Sequence, residues 1–502
     1  MAWRNTSTSA PSRETTLREQ QVDVPVAVDR TGPVPLATQV GDQLRAAMRG
    51  GQLTAGSRLP SSRSLASLLG VSRTVVTEAY QQLYAEGWLD GRHGSGTYVA
   101  DVHAGDGFSA RPAEPRPSPD ADFYPPLHAP DAGLVDLRPG RPWVMAYDTA
   151  AWRRAWRAAG DLPMSAWPDL YGDPMLREAL ADHLRRARAV PAGPGDVLIT
   201  RGTGNGLDLL AATLLRPGDR VGVEEPGYRS ARRIFASRGA EIVPCPVDAD
   251  GLIVDDLPAG LRMIYTTPAH QFPTGGRLPI PRRERLLAWA RATGALVVED
   301  DYDAEFRYDV APLPALYGLG PEQVVLLGTL SKSLSPDVGV GWLVAGRPLL
   351  DRIARTRKEL ADRTSGPVQR AVAIMLDRGD LDRHLRRMRL EYARRREAVV
   401  AALGPWTKGD TAGLHVLAEL PEHVVPEIVA GARERGVLVD TTLRHHHGPP
   451  RVHGLVVGYG SAALHDVRRG CGIVRTLLDR ALDVQLDHAL QEPELLPGTG
   501  HL

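Results

Sequence analysis

One lysine of this chain stands in a context that suits covalent chemistry. The chain has 502 residues and only three lysines, of which Lys332 lies in GTLSKSLSPDVGVGW, directly after an apolar strand pattern. A lysine amine can form a Schiff base with an aldehyde, and the neighbouring hydroxyls of Thr329, Ser331 and Ser333 can hold a phosphate. Pyridoxal phosphate carries both groups, so the segment predicts Lys332 as its attachment site.

A carboxylate upstream would complete the contacts to the ring of that cofactor. The segment LVVEDDYDAEFRY places Asp300 at the end of a predicted strand, with Tyr302 two residues later. We expect Asp300 to pair with the pyridine nitrogen, which needs an anionic partner to stay protonated. Tyr302 would hydrogen-bond the ring oxygen. Asp301 is the competing choice for the acid.

Two further segments offer a phosphate site and a stacking surface. In TRGTGNGLDLL, Thr203 and Gly204 open a predicted helix, whose first backbone N–H groups can bind phosphate. Tyr228, in EEPGY, is placed to stack on the ring. Each segment alone is of a kind that is common in turns between strands and helices. Their combination in this order is what indicates a cofactor site.

The elements that must position these residues are strands and helices in alternation. Short apolar runs such as DRVGVEEP, GALVVEDDY and EQVVLLGTL lie between helical stretches, which predicts an α/β fold with a mostly parallel sheet. The composition is globular, and the formal net charge of zero gives no global attraction to nucleic acid or membranes. Because the chain has two cysteines, no signal peptide and no long apolar run, we expect a soluble, cytoplasmic protein.

The first hundred residues follow a different pattern. Three amphipathic helices are predicted, the second and third joined by a tight turn at Gly70, and WLDGRHGSGTYVA predicts two strands around a Gly-rich turn. The third helix begins with Ser72, Arg73 and Thr74, and Thr77 follows one turn later. Such side chains suit phosphates and base edges in the major groove of DNA. The pattern therefore predicts a winged helix-turn-helix, with a three-helix protein-binding module as the alternative.

This first segment resembles the winged helix-turn-helix of GntR-type transcription regulators almost end to end. LPSSRSLA, GVSRTVV and EGWL followed by GSGTYV occur in the family's order. The resemblance implies DNA contacts from the arginine of LPSSR, the start of the recognition helix and the wing tip. In this chain those positions are Arg63, Ser72, Arg73, Thr74, Thr77, His93 and Gly94.

The rest of the chain resembles fold-type I aminotransferases, and more closely the aminotransferase-like domain of MocR-type regulators. The matching segments are DLRPGRPW, LYGDPMLREALADHLRRARAV, TTPAHQFPTG, VVEDDYDAEFRY and GTLSKSLSP. In TTPAHQFPTG, Phe272 follows His270 and Gln271, as in the regulators, whereas ordinary aminotransferases usually carry an Asn there that contacts the ring. The resemblance implies a homodimer in which Tyr171 reaches the phosphate of the neighbouring subunit's cofactor.

Several positions depart from the family pattern. Gly339 stands where SKxLxPxLRxGY has an arginine that binds the cofactor phosphate, and losing such a bond, worth about 1.5–3 kcal/mol, should weaken cofactor affinity. Gly204 and Asn205 replace a usual Gln pair. Val456 stands where many aminotransferases place an arginine that binds the substrate carboxylate, with Arg451 as the nearby substitute. These departures point away from an efficient transaminase.

Two other basic segments carry less weight. The segment Arg444 to His447 could ligate a metal, but no carboxylate or cysteine pattern accompanies it, so we predict a solvated loop and no metal site. The arginine-rich run 384–396 has apolar residues at helical spacing and predicts the solvated face of a helix.

We therefore expect an N-terminal winged helix-turn-helix, mostly α, joined by a linker to an α/β fold-type I domain. The predicted order is a disordered tail at 1–21, the winged helix at 22–100, a Pro-rich linker at 101–133, the aminotransferase-like domain at 134–482 and a C-terminal tail at 483–502. We expect a regulator that binds operator DNA, dimerises, and senses pyridoxal phosphate or its adduct with a small amine or amino acid. Its transaminase activity would be vestigial at most. The alternatives are an active aminotransferase with an accessory winged helix, and a regulator that has lost the cofactor.

Overall fold

The computed structural model describes residues 24–92, 96–101, 133–145 and 147–491, without the side chains of 91–92 and 483–491. The predicted tail at 1–21 and nearly all of the predicted linker at 101–133 lie outside the described residues. The chain divides into two units, residues 1–119 and 120–502. In the part of the chain that the structure describes, no helix is both long enough and apolar enough to cross a membrane.

The first unit is a three-helix bundle with a small antiparallel sheet. Its elements are α1 (Leu36–Arg49), β1 (Arg58–Leu59), α2 (Ser62–Leu69), α3 (Arg73–Ala85), β2 (Leu89–Arg92) and β3 (Gly96–Val99), with strand order β1-β3-β2. Ser61 and Ser72 cap α2 and α3 by accepting hydrogen bonds from the N–H groups of Ser64 and Val75. Gly70, with a φ of 62°, ends α2 in the left-handed conformation that glycine adopts readily. The predicted winged helix-turn-helix is confirmed.

The second unit is built around an eight-stranded mixed sheet. After the short strand β4 (Val135–Asp136), its strands are β5 (Val197–Thr200), β6 (Arg220–Glu225), β7 (Glu241–Asp248), β8 (Gly251–Leu252), β9 (Met263–Thr266), β10 (Leu296–Asp301), β11 (Val324–Thr329) and β12 (Gly341–Val344). The order is β5-β12-β11-β10-β9-β6-β7-β8. The strands from β11 to β7 in this order pair in parallel, and β12, β5 and β8 are joined antiparallel.

Both faces of this sheet are buried, which explains the continuous apolar runs in the sequence. Neighbouring residues of a strand point to opposite faces, and Val297 and Val298 of β10 are both fully buried but in different apolar clusters. The helices of this part of the chain are α4 (Thr149–Gly160), α5 (Pro174–Arg188), α6 (Thr203–Leu214), α7 (Arg229–Ser237), α8 (Ile280–Thr293) and α9 (Arg347–Glu359).

The C-terminal part forms a second α/β layer. Its elements are α10 (Gly366–Asp377), α11 (Asp380–Leu403), β13 (Thr407–Lys408), β14 (His415–Glu419), α12 (Val425–Glu434), β15 (Val437–Leu438), β16 (Asp440–Thr441), β17 (Gly454–Gly458) and α13 (Leu464–Gln491). The antiparallel sheet has the order β13-β14-β17-β16, and β15 pairs in parallel with β4. Helix α13 continues to Gln491, past residue 483, where we had predicted a tail to begin.

The arginine-rich run 384–396 lies on α11, as predicted, but it is not simply a solvated face. Arg395 is only 1% exposed. Its guanidinium donates a hydrogen bond of 3.2 Å to the carbonyl oxygen of Gly460 and packs over the ring of Trp143. Arg395 therefore joins α11 to two other segments of the unit.

Candidate functional site

The predicted cofactor residues meet at one edge of the large sheet. Parallel strands bring their carboxyl ends to a common edge, and ligands bind in the crevice outside it. Asp300 lies at the end of β10 and Thr329 at the end of β11, while Thr203 and Tyr228 follow β5 and β6 at the starts of α6 and α7. A cavity of about 480 Å³ opens at this edge. The predicted residues that line it are Thr203, Gly204, Tyr228, Asp300, Tyr302, Thr329, Ser331 and Lys332.

The carboxylate of Asp300 lies at the base of the cavity. Its Oδ2 accepts a hydrogen bond of 2.7 Å from the Tyr265 hydroxyl, whereas its buried Oδ1 has no hydrogen-bond partner among the described residues. Burial raises the pKa of Asp300 to about 7. The competing residue, Asp301, does not line the cavity, because the guanidinium of Arg188 holds its two oxygens at 2.8 and 2.7 Å.

The amine of Lys332 lies in the same cavity. Its Nζ donates a hydrogen bond of 2.5 Å to the carbonyl oxygen of Gly140. Burial lowers the pKa of Lys332, although the negative charges of Asp300 and Asp303 act in the opposite direction. A lowered pKa increases the neutral fraction of the amine, which is the nucleophilic form.

Hydroxyl groups and a helix start meet at another part of the cavity. Gly202 precedes α6 with a φ of 114°, and a Cβ at this position would lie 3.6 Å from Oγ1 of Thr329 and 3.9 Å from Oγ of Ser331. The Thr329 hydroxyl donates a hydrogen bond of 2.9 Å to Ser331. The first N–H groups of α6 and these hydroxyls therefore form one group of donors suited to an anion.

A cation also lies near this group, but not at the position where the family pattern has one. Gly339 has a φ of 57° and does not line the cavity. Arg201, directly before Gly202, does line it, and its guanidinium forms an ion pair with Asp362. Arg201 is therefore a basic residue that lines the cavity and stands two residues before the first residue of α6.

Tyr171 does not line the cavity of its own chain. Its hydroxyl donates a hydrogen bond of 2.5 Å to Oδ1 of Asp351, and the guanidinium of Arg347 lies 4.2 Å from the centre of its ring. Tyr171 is thus separated from the other predicted cofactor residues.

The C-terminal layer contributes a wall that we did not foresee. The predicted solvated loop at Arg444 to His447 is wrong in part, because His445 and His446 are only 3% and 8% exposed and Arg444 and His445 line the cavity. The carbonyl oxygen of His445 accepts a hydrogen bond from the N–H of Gly227, which ties this segment to the start of α7. Burial lowers the pKa of His445, whose Nε2 lies 3.2 Å from Oδ2 of Asp440.

The two positions considered for binding a substrate carboxylate, Val456 and Arg451, do not lie at the cavity. Val456 is fully buried in β17, and Arg451 is exposed and does not line the cavity. The arginines that do line it are Arg201, Arg229, Arg233 and Arg444. An anionic ligand would therefore meet several guanidinium groups.

The predicted DNA-contacting residues lie on the first unit. Ser72, Arg73 and Thr74 are exposed at the start of α3, and Arg63 is exposed at the start of α2. Thr77 is half-buried, and its hydroxyl donates to the carbonyl oxygen of Arg73 at 2.8 Å. His93 and Gly94, at the predicted wing tip, lie outside the described residues.

Two family models match the chain. The model for bacterial regulatory proteins of the gntR family matches residues 36–99, and the model for aminotransferase class I and II matches residues 147–444. The first match coincides with the winged helix-turn-helix, and the second contains every predicted cofactor residue.

Similar proteins combine the same two parts. The pyridoxine biosynthesis transcriptional regulator PdxR of Corynebacterium glutamicum is 39% identical over 447 residues, covering 88% of this chain and 95% of the relative. The probable rhizopine catabolism regulatory protein MocR of Rhizobium meliloti is 34% identical over 493 residues, covering 93% and 99%. Among solved structures, LysN, the α-aminoadipate aminotransferase of Thermus thermophilus complexed with N-(5'-phosphopyridoxyl)-L-leucine, is 26% identical. It matches with a TM-score of 0.64 over 70% of this chain and 94% of that one.

Proposed function

Because the chain belongs to the MocR/PdxR-type helix-turn-helix transcriptional regulators, we propose that it binds DNA through its first unit and senses pyridoxal phosphate, or an adduct of it with an amine, in the cavity of its second. DNA-binding regulation belongs to the family as a whole. The identity of the ligand and the residues that hold it are the new part of the proposal.

The observation that carries the cofactor proposal is the pairing of Lys332 with Asp300 in one cavity. In the part of the chain that the structure describes, no group hydrogen-bonds the buried Oδ1 of Asp300, as a site for a pyridinium N–H requires. When bound, pyridoxal phosphate supplies an aldehyde that reacts with amines and a ring that withdraws electrons. In this chain Lys332 would hold the aldehyde carbon, Tyr228 would stack on the ring and Tyr302 would contact the ring oxygen.

The phosphate would lie at the start of α6. The donors available there are the N–H groups of Thr203 and Gly204 and the hydroxyls of Thr329 and Ser331. Arg201 would supply the positive charge. The name of the Corynebacterium relative, a regulator of pyridoxine biosynthesis, supports a vitamin B6 compound as the ligand.

We further propose a homodimer in which Tyr171 contacts the cofactor phosphate of the partner subunit. Tyr171 does not line the cavity of its own chain. The segment just before it carries two large apolar side chains at the surface, with Met164 80% and Trp167 91% exposed. Burying such side chains against a second copy would remove apolar area from water.

A small amine or amino acid would act as effector by entering the same cavity. The arginines on its wall favour an effector that carries an acidic group, such as an amino acid. A ligand changes operator affinity only if it binds two arrangements of the protein unequally, so we propose that the free and cofactor-bound proteins differ in that affinity.

The experiment that tests the cofactor site is uptake of pyridoxal phosphate by the purified full chain. We expect a visible absorbance band in the wild type that is absent in Lys332→Ala, with little turnover of amino acids. The second candidate, an active aminotransferase, is favoured by the same Lys332 and Asp300. Rapid transamination of a common amino acid would support it, and a protein that takes up no pyridoxal phosphate would contradict the proposed cofactor site.

A further inference from the structure

Behind Tyr302 lies a buried polar group that the proposed function does not yet use. Nδ1 of His270 lies 3.1 Å from the Tyr302 hydroxyl and 3.1 Å from Oδ2 of Asp303. The side chains of His270 and Asp303 are only 2% and 1% exposed. The Tyr302 hydroxyl also donates a hydrogen bond of 3.1 Å to the carbonyl oxygen of His270. The phenol that faces the cavity is therefore held from behind by one imidazole.

The carboxylate of Asp303 defines which nitrogen of His270 carries the hydrogen. Carboxylate oxygens accept hydrogen bonds, so we assign the hydrogen of His270 to Nδ1, the ring nitrogen that faces Oδ2 of Asp303. Nδ1–H of His270 then points at both Asp303 and the oxygen of Tyr302. Burial raises the pKa of Tyr302 well above its usual value, so the phenol keeps its proton and can donate it.

Packing keeps the His270 ring in this orientation. Gly413 has a φ of 75°, and a Cβ there would lie 1.9 Å from Cε1 of His270, so only glycine leaves room for the ring. The ring of His415 packs against it with 4.8 Å between centroids. On the cavity side the apolar ring of Phe272, 6.2 Å from that of Tyr302, offers no hydrogen bond to compete.

His270, Asp303 and His415 are spaced closely enough to bind a metal ion, but the ring nitrogens that would bind it already have hydrogen-bond partners. The candidate ligand atoms of His270, Asp303 and His415 lie within 4.8 Å of one another. However, Nε2 of His415 lies 3.2 Å from the carbonyl oxygen of Pro273, and Nδ1 of His270 is bonded to Asp303. Hydrogen bonding accounts for the arrangement.

We propose that His270, oriented by Asp303, is a positioning residue that turns the Tyr302 hydroxyl toward the cavity as a hydrogen-bond donor. This inference rests on the proposed pyridoxal phosphate site. A donor aimed at the ring oxygen stabilises its deprotonated form, and so lowers the pH at which the bound cofactor loses its proton. The phenol already donates to the carbonyl oxygen of His270. Because the N–H of His270 occupies a lone pair of the phenol oxygen, the hydroxyl hydrogen can go only to that carbonyl or to an acceptor in the cavity, such as the ring oxygen.

The test is a pH titration of the visible absorbance of the full chain loaded with pyridoxal phosphate. Tyr302→Phe removes the donor, and we expect the midpoint to rise by about one pH unit, a tenfold change in the equilibrium. His270→Leu should raise it in the same direction by about half as much. His270→Asn, whose amide N–H can take the position of Nδ1, should stay near the wild type, and Asp303→Asn should behave like His270→Leu.

The double variant Tyr302→Phe/His270→Leu decides whether His270 acts through Tyr302. We expect the double variant to titrate with the same midpoint as Tyr302→Phe alone, because the phenol that His270 would position is absent from both variants. Additive shifts, a wild-type midpoint in His270→Leu, or stoichiometric bound zinc that is lost in His270→Asn would each overturn the inference. His453→Gln, at a half-buried histidine paired with Glu422, is the matched control and should shift nothing. A wild type that takes up no pyridoxal phosphate would instead refute the proposed cofactor site itself.

Discussion

The hydroxyl of Tyr265 lies 2.7 Å from one carboxylate oxygen of Asp300, while the other oxygen has no hydrogen-bond partner within the described ranges of the chain. Tyr265 thus holds Oδ2, and Oδ1 is the oxygen that the proposed pyridinium N–H would contact. Strand β9, which carries Tyr265, pairs with β10, which carries Asp300, so the contact follows from the parallel register of two central strands.

Tyr265→Phe should weaken pyridoxal phosphate binding by about tenfold at neutral pH. The lost hydrogen bond, worth about 1.5–3 kcal/mol to a charged group, no longer stabilises the ionised carboxylate. The pKa of Asp300 would then rise further above 7, so that less carboxylate is available to pair with the ring nitrogen. Absorbance titration with pyridoxal phosphate measures the affinity. Tyr317→Phe, at another buried tyrosine, is the control, and equal affinities of Tyr265→Phe and wild type would contradict the assignment.

Asp300→Asn should stabilise the cofactor-free protein at neutral pH and above, but not near pH 4. Burial raises the pKa of Asp300 from 3.8 to about 7, so the folded chain binds more protons than the unfolded chain between these values. The contribution of Asp300 to the free energy of unfolding therefore falls as pH rises through this window. The pKa values of Glu299 and Glu305 are also raised to about 7. Both residues are present in the variant and in the wild type, so their contributions cancel in the difference between the two free energies of unfolding.

Thermal unfolding at a series of pH values measures this difference. The variant and the wild type should have equal midpoints near pH 4, and the variant should melt progressively higher toward pH 7 and above. A constant difference across the range would mean that Asp300 is not a buried acid with a raised pKa.

Gly339→Arg should strengthen binding of pyridoxal phosphate by roughly tenfold but leave pyridoxal unaffected. No atom of the described residues lies within 4 Å of a Cβ built at this position, although the φ of 57° makes a non-glycine residue cost about 1 kcal/mol. Arg201→Gln should have the opposite effect, again on the phosphate ester alone. The ratio of the affinity for pyridoxal phosphate to that for pyridoxal separates the phosphate contact from a general loss of structure at the site. If both ligands change together in Arg201→Gln, Arg201 does not act on the phosphate.

The sequence predicted residues that lie in continuous motifs, and missed those that packing brings in from elsewhere. Asp300, Thr329 and Lys332 follow apolar strands directly, so their common edge could be predicted from the α/β pattern. Tyr265 sits in a strand that resembles any other core strand, and only its pairing beside β10 reveals it. Likewise, nothing local to His445 indicates that the C-terminal layer packs over the cavity.

Arg73→Ala should weaken DNA binding and reduce its dependence on salt. Arg73 is exposed as the first residue of α3, where a guanidinium can reach a phosphate or a base edge. Loss of one phosphate contact lowers the slope of log affinity against log salt by about one. Fluorescence anisotropy with DNA from upstream of the gene measures this. Arg49→Ala is the control, because the Arg49 guanidinium packs over the ring of Trp88. An equal loss in both variants would argue against a specific role for Arg73.

The central claim is that pyridoxal phosphate, held at Lys332, alters the affinity of the protein for DNA. The most direct test is the dissociation constant for the upstream DNA fragment at fixed salt, with and without pyridoxal phosphate, in the wild type and in Lys332→Ala. Couplings between sites are typically 5- to 150-fold. We predict a shift of at least fivefold in the wild type and none in Lys332→Ala. An unchanged constant in the wild type, or the same shift in Lys332→Ala, would contradict the account.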